Sequence, residues 1–223
     1  MELERYTAPG EFIDSAEASV QEFAKKAAEG AGDDVSRAVK LYYAVRDEVL
    51  YDPYCSGEER RYFRASDCLR AKRGFCIPKG ALLAAAARSI GIPARVAYAD
   101  VRNHLSTKKL LELMGGDLFI WHSFTELFLE ERWVKATPAF NLSLCERFGV
   151  HPLEFDGRHD SLFHEFDREG RRHMEYVRQR GDYLDVPYEA IVADFKKTYP
   201  RWMALVSEGK RRHFAAEAQS ENR

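Results

Sequence analysis

Long hydrophobic runs are missing: no stretch reaches the ~18 apolar residues of a membrane span, so no membrane partner is expected. Charge of one sign is missing too. The 34 lysines and arginines stand against 36 aspartates and glutamates, for a formal net charge of -2. The basic run Lys210-Arg211-Arg212-His213 is too short for a nucleic-acid footprint, and that class of partner is set aside. Cysteine is scarce: Cys55, Cys68, Cys76 and Cys145 in 223 residues do not make a disulfide scaffold. There is no Cys-x-x-Cys or His-x-x-x-His, and His159 and His164 are awkwardly spaced, so no metal and no cofactor is expected. Gly30-x-Gly32 and Gly115-Gly116 lack the strand–loop–helix setting of a phosphate cradle and read as breaks. No internal repeat is visible. The start, Met1 to Arg5, lacks the layout of a secretion leader, and the expectation is a cytoplasmic protein with reduced thiols.

What is present is 45% hydrophobic residues, enough for a core. Apolar residues at three- and four-residue steps predict a helix from Phe12 to Ala27. Asp33 or Asp34 caps a second helix, with Val35, Ala38, Tyr42, Val45 and Val49 on one stripe. Ser66 or Asp67 caps a short third, ending at Gly74. A fourth opens around Cys76-Ile77-Pro78, where proline costs no hydrogen bond, and closes at Gly91-Ile92-Pro93. Its Ala-Leu-Leu-Ala-Ala-Ala-Ala run is too apolar to face water, so this helix is central. Strand character follows at Ala94 to Val101, then a helix over Leu105 to Met114. Two strands, Phe119 to Leu129 and Arg132 to Thr137, meet at a tight turn, Glu130-Glu131. Residues 141–183 are charged and glycine-punctuated, which predicts irregular structure wrapping the sheet. Pro187 opens a last helix with Tyr188, Ile191, Val192, Phe195 and Tyr199 on its face. The fold class is α+β, N-terminal helices packed on an antiparallel sheet.

Chemistry concentrates on two residues. A helix N-terminus lowers a thiol pKa and offers N–H groups to an oxyanion, and Cys76 has that placement. His122 lies in a strand, on the face of Ile120, Phe124 and Glu126 by alternation. A turn at Glu130-Glu131 sets Glu126 opposite Lys135 and His122 opposite Ala139, with Thr137 and Asn141 as diagonal neighbours. Either can hold the imidazole in one tautomer. Arg102 and His104, past a strand end, are possible substrate contacts.

Gly74-x-Cys76, the Ala/Leu-rich helix, Gly91-Ile92-Pro93-Ala94-Arg95, His122-x-x-x-Glu126 and Arg132-Trp133-Val134-x-x-Thr137-Pro138 together resemble the transglutaminase-like superfamily. The helix from Ala38 to Tyr51 is similar to the one that precedes that core. The likeness is nearest the stand-alone bacterial members described as transglutaminase-like cysteine proteases. It implies a papain-like core over residues 35–140, inside a single domain of residues 1–208. Residues 141–208 would be a C-terminal elaboration and 209–223 a disordered tail. It further implies Cys76 as nucleophile and His122 as general base and acid. The family usually has Asp where this chain has Thr137, so three routes to a third member stay open: Thr137, Asn141, or a carboxylate such as Asp156 or Asp160 folding over the site. The implied activity is hydrolysis of a peptide or protein amide through a Cys76 thioester. An amine-accepting transglutaminase and a catalytically inactive binding module are the alternatives. The oligomeric state is not legible.

Overall fold

A computed structural model describes residues 3–104, 106–162, 168–170, 173–208 and 214–221. The first helix, α1 (Ala18–Ala27), begins six residues later than its apolar pattern predicts. The Asp185 carboxylate, from near the other end of the chain, accepts from the amides of Glu11, Phe12 and Ile13 and holds that stretch out of the helix. α2 (Asp34–Glu48) is capped by Asp33, which exchanges hydrogen bonds with Ser36. β1 (Leu50–Tyr51) pairs in parallel with β2 (Arg73–Gly74), and α3 (Ala65–Ala71) lies between them in sequence. Ser66 sits inside the first turn of α3 rather than capping it, because Asp14 accepts from its amide at 3.0 Å and from its hydroxyl. Lys72, at φ 49°, ends α3 before Gly74 is reached.

α4 (Cys76–Ser89) is the hub, buried from Ile77 through Arg88 and packed against α1, α2, α3 and the sheet. Gly80 permits its close approach: a Cβ there would stand 2.7 Å from Ser123 Oγ, and Thr125 Oγ1 donates to the Gly80 carbonyl at 2.8 Å. Two buried basic side chains tie α4 to the rest. Lys79 donates to the carbonyls of Arg46 and Val49, where α2 ends. Arg88 donates to the carbonyls of Ala8, Ala94 and Leu184, joining three distant segments.

The sheet is antiparallel, in the order β5-β4-β3-β6, from β3 (Ala94–Asn103), β4 (Leu118–Leu129), β5 (Arg132–Ala136) and β6 (Met174–Tyr183). Glu126 pairs with Lys135 in register, as the turn predicts. The ions choose other partners: Glu126 takes Arg95 at 2.5 Å, and Lys135 lies 3.8 Å from Asp160. Residues 141–183 are more regular than expected. α6 (Leu142–Phe148) and the ten-residue β6 both lie there, and β6 closes the β3 edge. Part of that segment, 163–167 and 171–172, lies outside the described residues.

α5 (Lys108–Met114) is capped by Thr107 and so starts later than Leu105, which is not among the described residues. α7 (Tyr188–Thr198) follows Pro187, and α8 (Pro200–Ser207) continues from it. The expectation of a disordered tail fails over α9 (Phe214–Glu221). Phe214 is buried against Tyr51, Tyr54 and Phe148, and the Tyr54 hydroxyl donates to Glu217. A charged flanking sequence hid one apolar anchor. No helix among the described residues is long and apolar enough to cross a membrane.

Candidate active site

Cys76 is the first residue of α4. Its N-cap, Phe75, contributes no side-chain hydrogen bond, so the first-turn amides face the site without a protein cap. Three amides act on the thiol, those of Ser123 on β4, Ile77 and Cys76 itself, and each lowers its pKa. Burial is the larger effect and pushes the thiol up to about 11. His122 is 8% exposed, and burial brings its imidazole down to about 4. At neutral pH both groups are therefore uncharged in this closed arrangement, and no hydrogen bond joins them.

Cys76 and His122 line one cavity of about 50 Å³, room for little more than water. Its walls are apolar. Tyr51, Pro53 and Phe75 form the side next to Cys76; Leu110 and Met114 come from α5; Phe195, Tyr199 and Trp202 come from α7, its end and α8. The Tyr199 hydroxyl accepts from the Ile120 amide at 2.6 Å and donates to the Leu118 carbonyl at 2.9 Å, fixing this aromatic wall to β4.

The strand that carries His122 is not regular. Between the pairs Ala99–His122 and Val101–Phe119, β4 has two residues, Ile120 and Trp121, opposite Asp100 alone. This is a β-bulge, and Trp121 takes φ 59°, a left-handed conformation that bulky residues avoid. The Trp121 amide donates to Asp100 Oδ1 at 3.1 Å and its indole to Asp194 Oδ2 at 2.8 Å. Alternation along β4 contains no signal for this; only the folded chain brings Asp100, Arg180 and Asp194 to Trp121.

The third-member candidates are dispersed. Thr137 follows β5, its amide donating to Ser161 and its carbonyl accepting from Tyr42. Its hydroxyl is buried with no partner among the described residues, and His122 Nε2 is in the same condition. Asn141 is engaged elsewhere, accepting from the Tyr51 amide at 2.9 Å and donating to Ser143. Asp156 lies 2.6 Å from the ring of His159, and Asp160 accepts from the Lys135 amide. None of the four hydrogen-bonds His122. Arg102 and His104 gather with Asp117 and Glu175 in a surface ion cluster away from the cavity lining. No group of three metal-ligating side chains occurs among the described residues.

A crystal structure of a candidate cysteine protease from Cytophaga hutchinsonii resembles this fold with a TM-score of 0.53 at 16% sequence identity. The match covers 85% of this chain and 50% of that one, so the chain spans about half the length of that protein. At this identity the likeness speaks for the fold alone. No match was found among curated proteins. A family model described as the transglutaminase-like superfamily matches residues 21–138. That segment is over half of the chain and contains α4, β4 and β5 with Cys76, His122 and Thr137, and the protein accordingly belongs to the transglutaminase-like superfamily.

Proposed function

We propose that this protein is a cysteine-dependent acyl-transfer enzyme that hydrolyses a peptide or protein amide bond. The observation that carries the proposal is the cavity itself: a thiol at the N-terminus of a buried helix shares it with a histidine that has a buried ring nitrogen and no competing partner. In the reaction, Cys76 Sγ attacks the carbonyl carbon while its proton passes to His122. The oxyanion forms beside the first-turn amides of α4. His122 then returns the proton to the leaving amine as the C–N bond breaks, which leaves a thioester. Water, deprotonated by His122, releases the acid and restores the thiol. With both groups neutral at rest, this proton transfer accompanies attack rather than preceding it.

The test is alkylation of the native protein by iodoacetamide from pH 4 to 9, with the modified cysteine located by mass spectrometry and His122→Ala as the control. Reactivity of Cys76 that depends on His122 supports the enzyme, and a peptide screen then looks for the thioester. Supplying a primary amine during turnover separates hydrolysis from transfer: an amine adduct identifies a transglutaminase.

A second reading, a binding module without catalysis, has one observation in its favour. Thr137 stands where the family usually has Asp, and its hydroxyl does not reach the imidazole in a hydrogen bond. An inaccessible or ordinary Cys76 thiol that is indifferent to His122 favours this reading.

A further inference from the structure

No side chain among the described residues hydrogen-bonds the His122 imidazole, and its backbone continues directly from Trp121. Trp121 belongs to a closed ring of four hydrogen bonds. Its amide and Arg180 Nε, at 3.1 and 2.5 Å, both donate to Asp100 Oδ1. Its indole and Arg180 Nη1, each at 2.8 Å, both donate to Asp194 Oδ2. The Arg180 guanidinium also stands 4.4 Å over the indole ring. The Arg180 and Asp100 side chains are 12% and 8% exposed, so water screens this pair little. Burial pushes the Asp194 carboxyl up, but the indole and Arg180 outweigh it and hold the group below its ordinary value, charged at neutral pH. A left-handed tryptophan is strained and persists only where its surroundings over-determine it.

We infer that Arg180, acting with Asp100 and Asp194, is the positioning residue for His122: it clamps Trp121 in its left-handed conformation and so fixes the bulge that directs the imidazole into the Cys76 cavity. The inference rests on the proposed role of His122 as base. In a triad with a carboxylate, a side-chain hydrogen bond orients the ring; here the orientation is imposed from the preceding residue. Arg180 lies on β6 and Asp194 on α7, both outside the family-matched residues 21–138. The C-terminal region therefore completes the geometry that the family-matched core leaves unfinished at Thr137.

The experiment compares wild type with Arg180→Ala, Arg180→Lys and Asp194→Asn. Two quantities are read: the pH profile of Cys76 alkylation by iodoacetamide, and the titration of the His122 imidazole by NMR. Circular dichroism and a melting curve establish that each variant is folded. In Arg180→Ala the alkylation rate at pH 7 falls on the order of 10²-fold, the cost of a misplaced reacting group. His122 there titrates closer to ~6.5 as its burial relaxes. Arg180→Lys keeps a charge between the two carboxylates and recovers part of the rate. Asp194→Asn keeps an acceptor for the indole and falls between the two. A clamp that is merely structural lowers the melting temperature but leaves the profile and the His122 titration of the folded variants unchanged, and that result overturns the inference. Should Arg180→Ala not fold, Arg180→Lys and Asp194→Asn make the same comparison. A wild-type Cys76 indifferent to His122→Ala removes the proposed function first, and this inference with it.

Discussion

The buried imidazole of His122 gives this protein a specific response to acid. Burial holds His122 at about 4 in the folded chain, against 6.5 for an ordinary histidine. Between these values the unfolded chain takes up a proton that the folded chain refuses, so the stabilising contribution is complete above pH 6.5 and is lost as pH falls to 4. Wild type should therefore lose about 3 kcal/mol more than His122→Gln across that window, read from denaturant unfolding at each pH. Equal slopes for the two proteins would mean that the ring is solvated. Thr137 gives the complementary test. Thr137→Asp offers a carboxylate at the position where the family usually carries one, and an adjacent anion raises an imidazole pKa. Cys76 alkylation at pH 6 should then rise on the order of tenfold, because an imidazolium stabilises the thiolate. No gain in the folded variant would show that the residue-137 side chain does not reach the ring.

At the scale of elements, the meeting of α4 with β4 decides whether Cys76 and His122 share a cavity. Gly80 sets that approach, with Ser123 Oγ only 2.7 Å from where its Cβ would stand. Gly80→Val is expected to cost about 1–3 kcal/mol by overpacking and to slow Cys76 alkylation in the folded fraction. A melting curve together with the alkylation rate checks both effects. What the sequence revealed of these elements follows from how local their causes are. The α4 composition, the Asp33 cap and the Glu126–Lys135 register depend on neighbours within one helix or one hairpin, and each is legible. The late start of α1 depends on Asp185, more than 170 positions away, and no periodicity contains it. β6 was hidden because it is an edge strand with charged residues at exposed positions, so it lacks the alternation of a half-buried one. Cys76 and His122 were legible one by one, from a helix start and a strand, and as a pair only through the family resemblance. The bulge at Trp121 was not, since alternation assigns faces on the assumption that no residue is inserted.

Across the whole molecule, residues far apart in sequence enclose the cavity, from Tyr51 to Trp202. With about 50 Å³ inside, reagent size controls access to the thiol. Normalised to the same pair of reagents on a short thiol peptide, iodoacetamide should be favoured over a bulky aryl maleimide at Cys76 by ~10-fold or more. Tyr199→Phe, which releases the hydroxyl from Ile120 and Leu118, should narrow that gap; an unchanged ratio would place the gate elsewhere. The aromatic wall on α7 and α8 also fixes when the thiol becomes enclosed. During synthesis Cys76 emerges early, but its pocket stays open on one side until residue 202 has been added and folded back. A chain stalled or cut before that point carries Cys76 without its enclosure, its thiol open to solvent until the late third of the polypeptide has folded back.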